Sequence, residues 1–253
     1  MSRSARAALF MRSLVRPAFV VLVALSAIGV GHAASLGGLN SADMTSFASS
    51  GTVPIPTAPP TTPPTTTVPP PPPNICGSGD TTLPCVVEAG TVINGKLDWD
   101  GDVTVLGTVS KKVTVDNGDV VVGPGGAVGG KITQSGAGGV VVELGGTASG
   151  DIKESGDGSV VVAGLVNGNV SESDDGNLTV STGGVVRGNA TEQGAGSVTV
   201  DGRVDGGVTE SNNGDLTVGP TAFIGNGVDS KPGGACMISP TATVNGRRNG
   251  VCA

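Results

Sequence analysis

The chain reads as an all-β protein, a single-stranded β-helix (β-solenoid) with about 19 residues per turn. Three observations carry that reading: a glycine-opened repeat, a Val/Leu/Thr triplet at fixed phase within it, and two further apolar columns. The glycines are Gly101, Gly118, Gly138, Gly158, Gly176, Gly196, Gly214 and a last, degenerate Gly234. A period of this size, rich in β-branched residues and without a helical run, marks stacked β units.

The triplets begin with Val103-Thr104-Val105, Val120-Val121-Val122 and Val140-Val141-Val142. They continue with Val160-Val161-Val162, Leu178-Thr179-Val180, Val198-Thr199-Val200 and Leu216-Thr217-Val218. Strand side chains alternate, so the outer two of each triplet point inward and the middle one outward. The second column runs from Val109 through Val128, Ala148, Val166, Val186 and Val204 to Ile224. The third runs from Val113 through Ile132, Ile152, Val170, Ala190 and Val208 to Val228. Gly, Asn, Asp and Ser between them suit tight corners. Each unit is therefore three short strands closing into one coil, and stacking gives the coils a shared core.

The organisation follows from composition shifts. Residues 1–33 fit a secretory signal peptide: Arg3, Arg6, Arg12 and Arg16 precede the apolar run Ala18 to Gly31, and Gly31-His32-Ala33 offers a cleavage site. That run is short for a membrane span, which needs about 20 residues. Processing would leave no stable transmembrane segment. Residues 34–75 form a Pro/Thr-rich linker, extended and without a core. Residues 76–100 are assigned to an N-terminal cap and irregular first coil, 101–233 to seven solenoid turns, and 234–253 to a C-terminal cap.

Four cysteines, Cys76, Cys85, Cys236 and Cys252, flank the repeats. An even count in an exported chain suggests disulfides. Of three connectivities, Cys76–Cys85 with Cys236–Cys252 is favoured, because each bridge then closes within one end. Solenoid ends expose unpaired backbone and core, and a held cap limits end-to-end growth.

Composition narrows function. With 44 glycines, one Trp, four Phe and no Tyr, the chain lacks rings for a three-dimensional enzyme core or for sugar stacking. A net charge of -7 argues against nucleic acid. The only histidine, His32, lies in the leader, so a processed chain has none for acid–base work or metal ligation. No cofactor or metal is implied.

Two candidate surfaces remain. The outward column Thr104, Val121, Val141, Val161, Thr179, Thr199 and Thr217 is either ordinary strand composition or a flat face for a partner. It lacks the paired Thr-x-Thr arrays expected of an ice-binding face. Acidic residues after the third strand, Glu154, Asp157, Glu172, Asp174, Asp175, Glu192 and Glu210, are expected at solvated corners along one edge. Oxygen ligands of this kind suit calcium, but the Gly-Gly-x-Gly-x-Asp pattern is absent. Asp98-Trp99-Asp100-Gly101-Asp102 lacks the helices and later Glu of a calcium loop.

The pattern Gly-x-Val-x-Val, then x-Gly-x-Val-x-Gly-x-Val, over roughly 86–232, resembles the β-helical core of bactofilins and related polymer-forming bacterial repeat proteins. The resemblance implies a right-handed β-helix and scaffold-forming self-association, and no catalytic residue. The leader, stalk and cysteine caps depart from that cytoplasmic-facing family. The resulting expectation is a non-enzymatic structural or adhesive protein of the bacterial cell envelope, secreted or at the cell surface. Its partners would be an envelope polysaccharide, a surface protein or itself. The alternative is a carbohydrate-binding or carbohydrate-active β-helix using the acidic corners, with Trp99 beside Asp98, Asp100 and Asp102.

Overall fold

The computed structural model describes Cys76 and residues 84–252. The leader, the whole of the linker and residues 77–83 of the N-terminal cap lie outside the described residues. Within them the chain winds through nine coils, each contributing one strand to three nine-stranded parallel sheets. The first sheet begins at Cys85–Val87 and ends at Cys236–Ile238; the second runs from Val92–Ile93 to Thr243–Val244; the third from Leu97–Asp100 to Arg247–Gly250. The N-terminal segment supplies the expected first coil, and the C-terminal segment, read as a cap, is itself a coil, so one coil flanks the seven repeats at each end. The chain is an all-β parallel solenoid.

Register holds without a slip through the repeats. Val140 pairs with Val120 and Val160, and Ile152 with Ile132 and Val170. All three apolar columns face inward: Val103, Val109, Val113 and their counterparts as far as Leu216, Ile224 and Val228 are buried. The apolar side of the third column stops at Arg248, which pairs with Val228 but is exposed.

The opening glycines owe their place to close approach. A Cβ on Gly158, Gly176, Gly196, Gly214 or Gly234 would overlap the carbonyl oxygen of the corresponding glycine one coil earlier. Side-chain acceptors then tie coil to coil at the neighbouring position. Asp119 Oδ1 accepts the Gly139 N–H at 2.8 Å, Asn177 Oδ1 that of Ser197 at 2.9 Å, and Asp215 Oδ1 that of Ala235 at 2.7 Å. A second ladder at the next corner passes from Asp151 to Asn169 to Asn189 to Gly207. The Asn, Asp and Ser of the repeat therefore satisfy backbone donors that a corner would otherwise leave unpaired.

Candidate functional site

The outward column of the first sheet is continuous. Thr104, Val121, Val141, Val161, Thr179, Thr199 and Thr217 succeed one another in register, each half-buried. Val86 and the exposed Met237 extend it to both ends. Because strands alternate, the same triplets supply the core and this face. The other two faces differ in chemistry. On the second sheet Val185, Arg203 and Phe223 follow in register, with the Arg203 guanidinium 4.2 Å from the Phe223 ring centre and its Nε 2.6 Å from Asp205. The third sheet turns Thr114, Thr133, Lys153, Ser171, Thr191 and Thr209 outward, a hydroxyl-rich surface.

Both ends are closed by disulfides, Cys76–Cys85 and Cys236–Cys252. Cys85 and Cys236 occupy the first and last places of one core column, the column of Val103 and Leu216. Cys76 and Cys252 pack against the core from outside the coils. Each bridge thus joins the last core position to a segment beyond it.

The acidic edge requires a correction. Glu154, Glu172, Glu192 and Glu210 are fully buried inside the solenoid, and only Asp157, Asp174 and Asp175 of the expected set are exposed corners. The reason is strand alternation: each glutamate stands two places after an inward residue, as Glu154 does after Ile152 and Glu172 after Val170. They belong to a fourth inward column, Trp99, Val115, Gln134, Glu154, Glu172, Glu192, Glu210 and Ser230, one residue per coil over eight coils. The acid positions form no exposed groove.

Three glutamates have local work. Oε1 of Glu172, Glu192 and Glu210 accepts the backbone N–H two residues on, from Asp174 at 3.0 Å, Gly194 at 2.5 Å and Asn212 at 2.7 Å. Glu210 also accepts the Gly214 N–H at 3.2 Å and the Ser230 hydroxyl at 3.3 Å. Gln134 makes the complementary contact, its amide nitrogen donating to the Gly118, Ser135 and Ala137 carbonyls. Neither oxygen of Glu154 meets a donor in full hydrogen-bonding geometry, and the Gly158 N–H only partly offsets its burial. Burial pushes its carboxyl up to about 8, and the neighbouring Glu172 carboxyl adds to the rise. Burial likewise pushes Glu192 up to about 7, again with Glu172 the next cause.

Trp99 is also inside, at the head of this column. Asp98 points the other way and pairs with Lys96 and Lys112; hydrogen bonding to Lys96 holds its carboxyl below the ordinary range. The Trp99–Asp98 neighbourhood therefore makes no sugar platform. Among the described residues no three His, Cys, Asp or Glu side chains are disposed to hold a metal ion, and no helix is long and apolar enough to cross a membrane.

The fold and these faces define a β-solenoid with repetitive, flat lateral surfaces. No family model, curated protein or solved structure matches the chain, so the bactofilin-like resemblance stands at the level of a generic β-solenoid.

Proposed function

We propose that the chain is a non-enzymatic, exported structural or adhesive rod of a bacterial cell envelope. One observation carries the reading: nine coils in unbroken register repeat the same lateral faces along the whole domain, and a disulfide closes each end. A stack of this kind is a scaffold whose surfaces recur at the coil spacing of about 4.8 Å, which suits binding to a polymer or to a second rod. The disulfides suit an oxidising compartment. The basic, then apolar, N-terminal segment supports export, and the Pro/Thr tract supports a stalk that holds the rod away from its anchor point. The carbohydrate-active alternative loses support, since four of the seven acidic-corner carboxylates and its tryptophan are inside.

The test is co-sedimentation of the full chain with isolated envelope polysaccharide and with itself, beside a hydrolase screen on the same material. Association is expected without turnover, and Val141→Lys with Val161→Lys on the outward column is expected to weaken it at least tenfold. Turnover that disappears when one acidic residue is replaced would overturn the proposal. So would association indifferent to the outward column.

A further inference from the structure

The centre of the fourth inward column holds acceptors without donors. Gln134 Oε1, both carboxyl oxygens of Glu154, Glu172 Oε2 and Glu192 Oε2 are all buried and unpartnered. These residues occupy four successive coils, and the Glu172 carboxyl acts on both neighbours, raising the pKa of Glu154 and of Glu192. Among the described residues no Lys, Arg or His is buried beside them. The buried polar side chains among the described residues are Gln134, the four glutamates and Ser230. Facing them, the first sheet turns in Val162, Val180 and Val200, and the second Ala148, Val166 and Val186. The remaining charged neighbours are like-signed: Asp174 at the corner acts on Glu154, and Glu210 acts on Glu192. Asp157 and Asp175 lie exposed on the corners, and Lys153 is exposed on the outer surface of the third sheet.

Ionised carboxylates stacked in an apolar interior repel one another and lose hydration, and no buried cation offsets either effect. A proton on Glu154 supplies a donor for Gln134 Oε1 or Glu172 Oε2. A proton on Glu192 supplies one for Glu172 Oε2. Two protons thus supply two O–H···O bonds among these four residues, where fully ionised carboxylates supply none. We propose that the coils carrying Gln134 to Glu192 are locked by protons shared within this internal carboxyl column, so that mild alkali reversibly loosens the middle of the rod. Loosening is expected there first, because Glu210 keeps three donors of its own beyond the locked stretch.

The sign follows from proton binding. These carboxyls hold protons in the folded chain at a pH where the unfolded chain has released them. Their stabilisation is therefore full in acid below the ordinary carboxyl range and is lost as pH rises through about 7 to 8.

The test is thermal unfolding of the full chain between pH 5 and pH 9 at moderate salt. The midpoint should fall by roughly 5–10 °C across that range. The double variant Glu154→Gln with Glu192→Gln should lose most of this fall, whereas Asp157→Asn, at an exposed corner, should keep it. Infrared spectroscopy of the native chain supplies a reading that needs no variant: the carbonyl band of protonated carboxyl groups should persist at pH 7 and vanish in alkali before global unfolding. A flat midpoint between pH 5 and 9, a double variant with the full fall, or no protonated band at pH 7 would each overturn the proposal.

Discussion

Glu154 and Glu210 sit in one column, equally buried, yet at pH 9 their replacement by methionine should act in opposite directions. Glu210 accepts three hydrogen bonds, from the Asn212 and Gly214 backbone and from Ser230. Gly214 and Ser230 are buried and would be left without that acceptor, while Asn212 is exposed and can turn to water. Each stranded buried group costs about 1–3 kcal/mol, partly offset by removal of a buried acid. Glu210→Met should therefore destabilise by about 2–4 kcal/mol. Glu154 accepts none in full geometry, only the weaker influence of the Gly158 N–H. Methionine of similar volume removes a buried carboxyl without a cationic partner, which should stabilise by about 1–3 kcal/mol where that carboxyl is ionised. The gain for Glu154→Met should appear at pH 9, where the wild-type carboxyl is ionised, and should turn into a loss at pH 5, where the protonated carboxyl donates to Gln134 or Glu172 and methionine cannot. Urea unfolding midpoints at both pH values measure the two effects. Equal losses for the two variants at pH 9, or a greater loss at Glu154 there, would refute the assignment of hydrogen bonds along the column.

Val162→Asp places a carboxylate between the buried Val142 and Val180 and should cost on the order of 3 kcal/mol or more, whereas Thr179→Asp on the half-buried outer column should cost much less; urea unfolding distinguishes them. Gly176→Ala should destabilise by at least about 3 kcal/mol because its Cβ would overlap the Gly158 carbonyl, while Gly95→Ala meets nothing within 4 Å and should be tolerated; thermal midpoints report both. Peptide mapping without reduction should recover Cys76–Cys85 and Cys236–Cys252, and Cys252→Ser should lower stability by about 3 kcal/mol on loop-closure grounds and raise self-association measured by sedimentation.

The repeat made the architecture legible. Glycines at fixed phase, the Val-x-Val triplets and the two single apolar positions per unit placed the core columns correctly, because each is a direct record of alternation and close approach. The end coils were harder to read. Ile93 and Leu97 keep the phase, but no opening glycine precedes Cys85, and at the other end Arg248 interrupts the third column. The fourth inward column was missed for a chemical reason. Glutamate is rarely buried, so Glu154, Glu172, Glu192 and Glu210 read as solvent-facing although they stand two residues after Ile152, Val170, Ala190 and Val208. Val115 and Gln134, inward at the same step, carried the available signal. Backbone donors at the next corner, such as the Asp174 and Asn212 N–H groups, explain why acids are tolerated there. That reason lies in the path of the corner and not in the residue string.

Parallel winding also shapes how the rod can form. Contacts between successive coils join residues 16 to 21 positions apart, a separation of about 0.1 of the described length, which is low for an all-β protein and belongs to the range of faster-folding topologies. Each finished coil presents its open edge to the next stretch of chain, so assembly can proceed as zippering from any coil that forms first. A chain emerging slowly, end first, could lay down its coils in order as they appear, without waiting for its distant terminus.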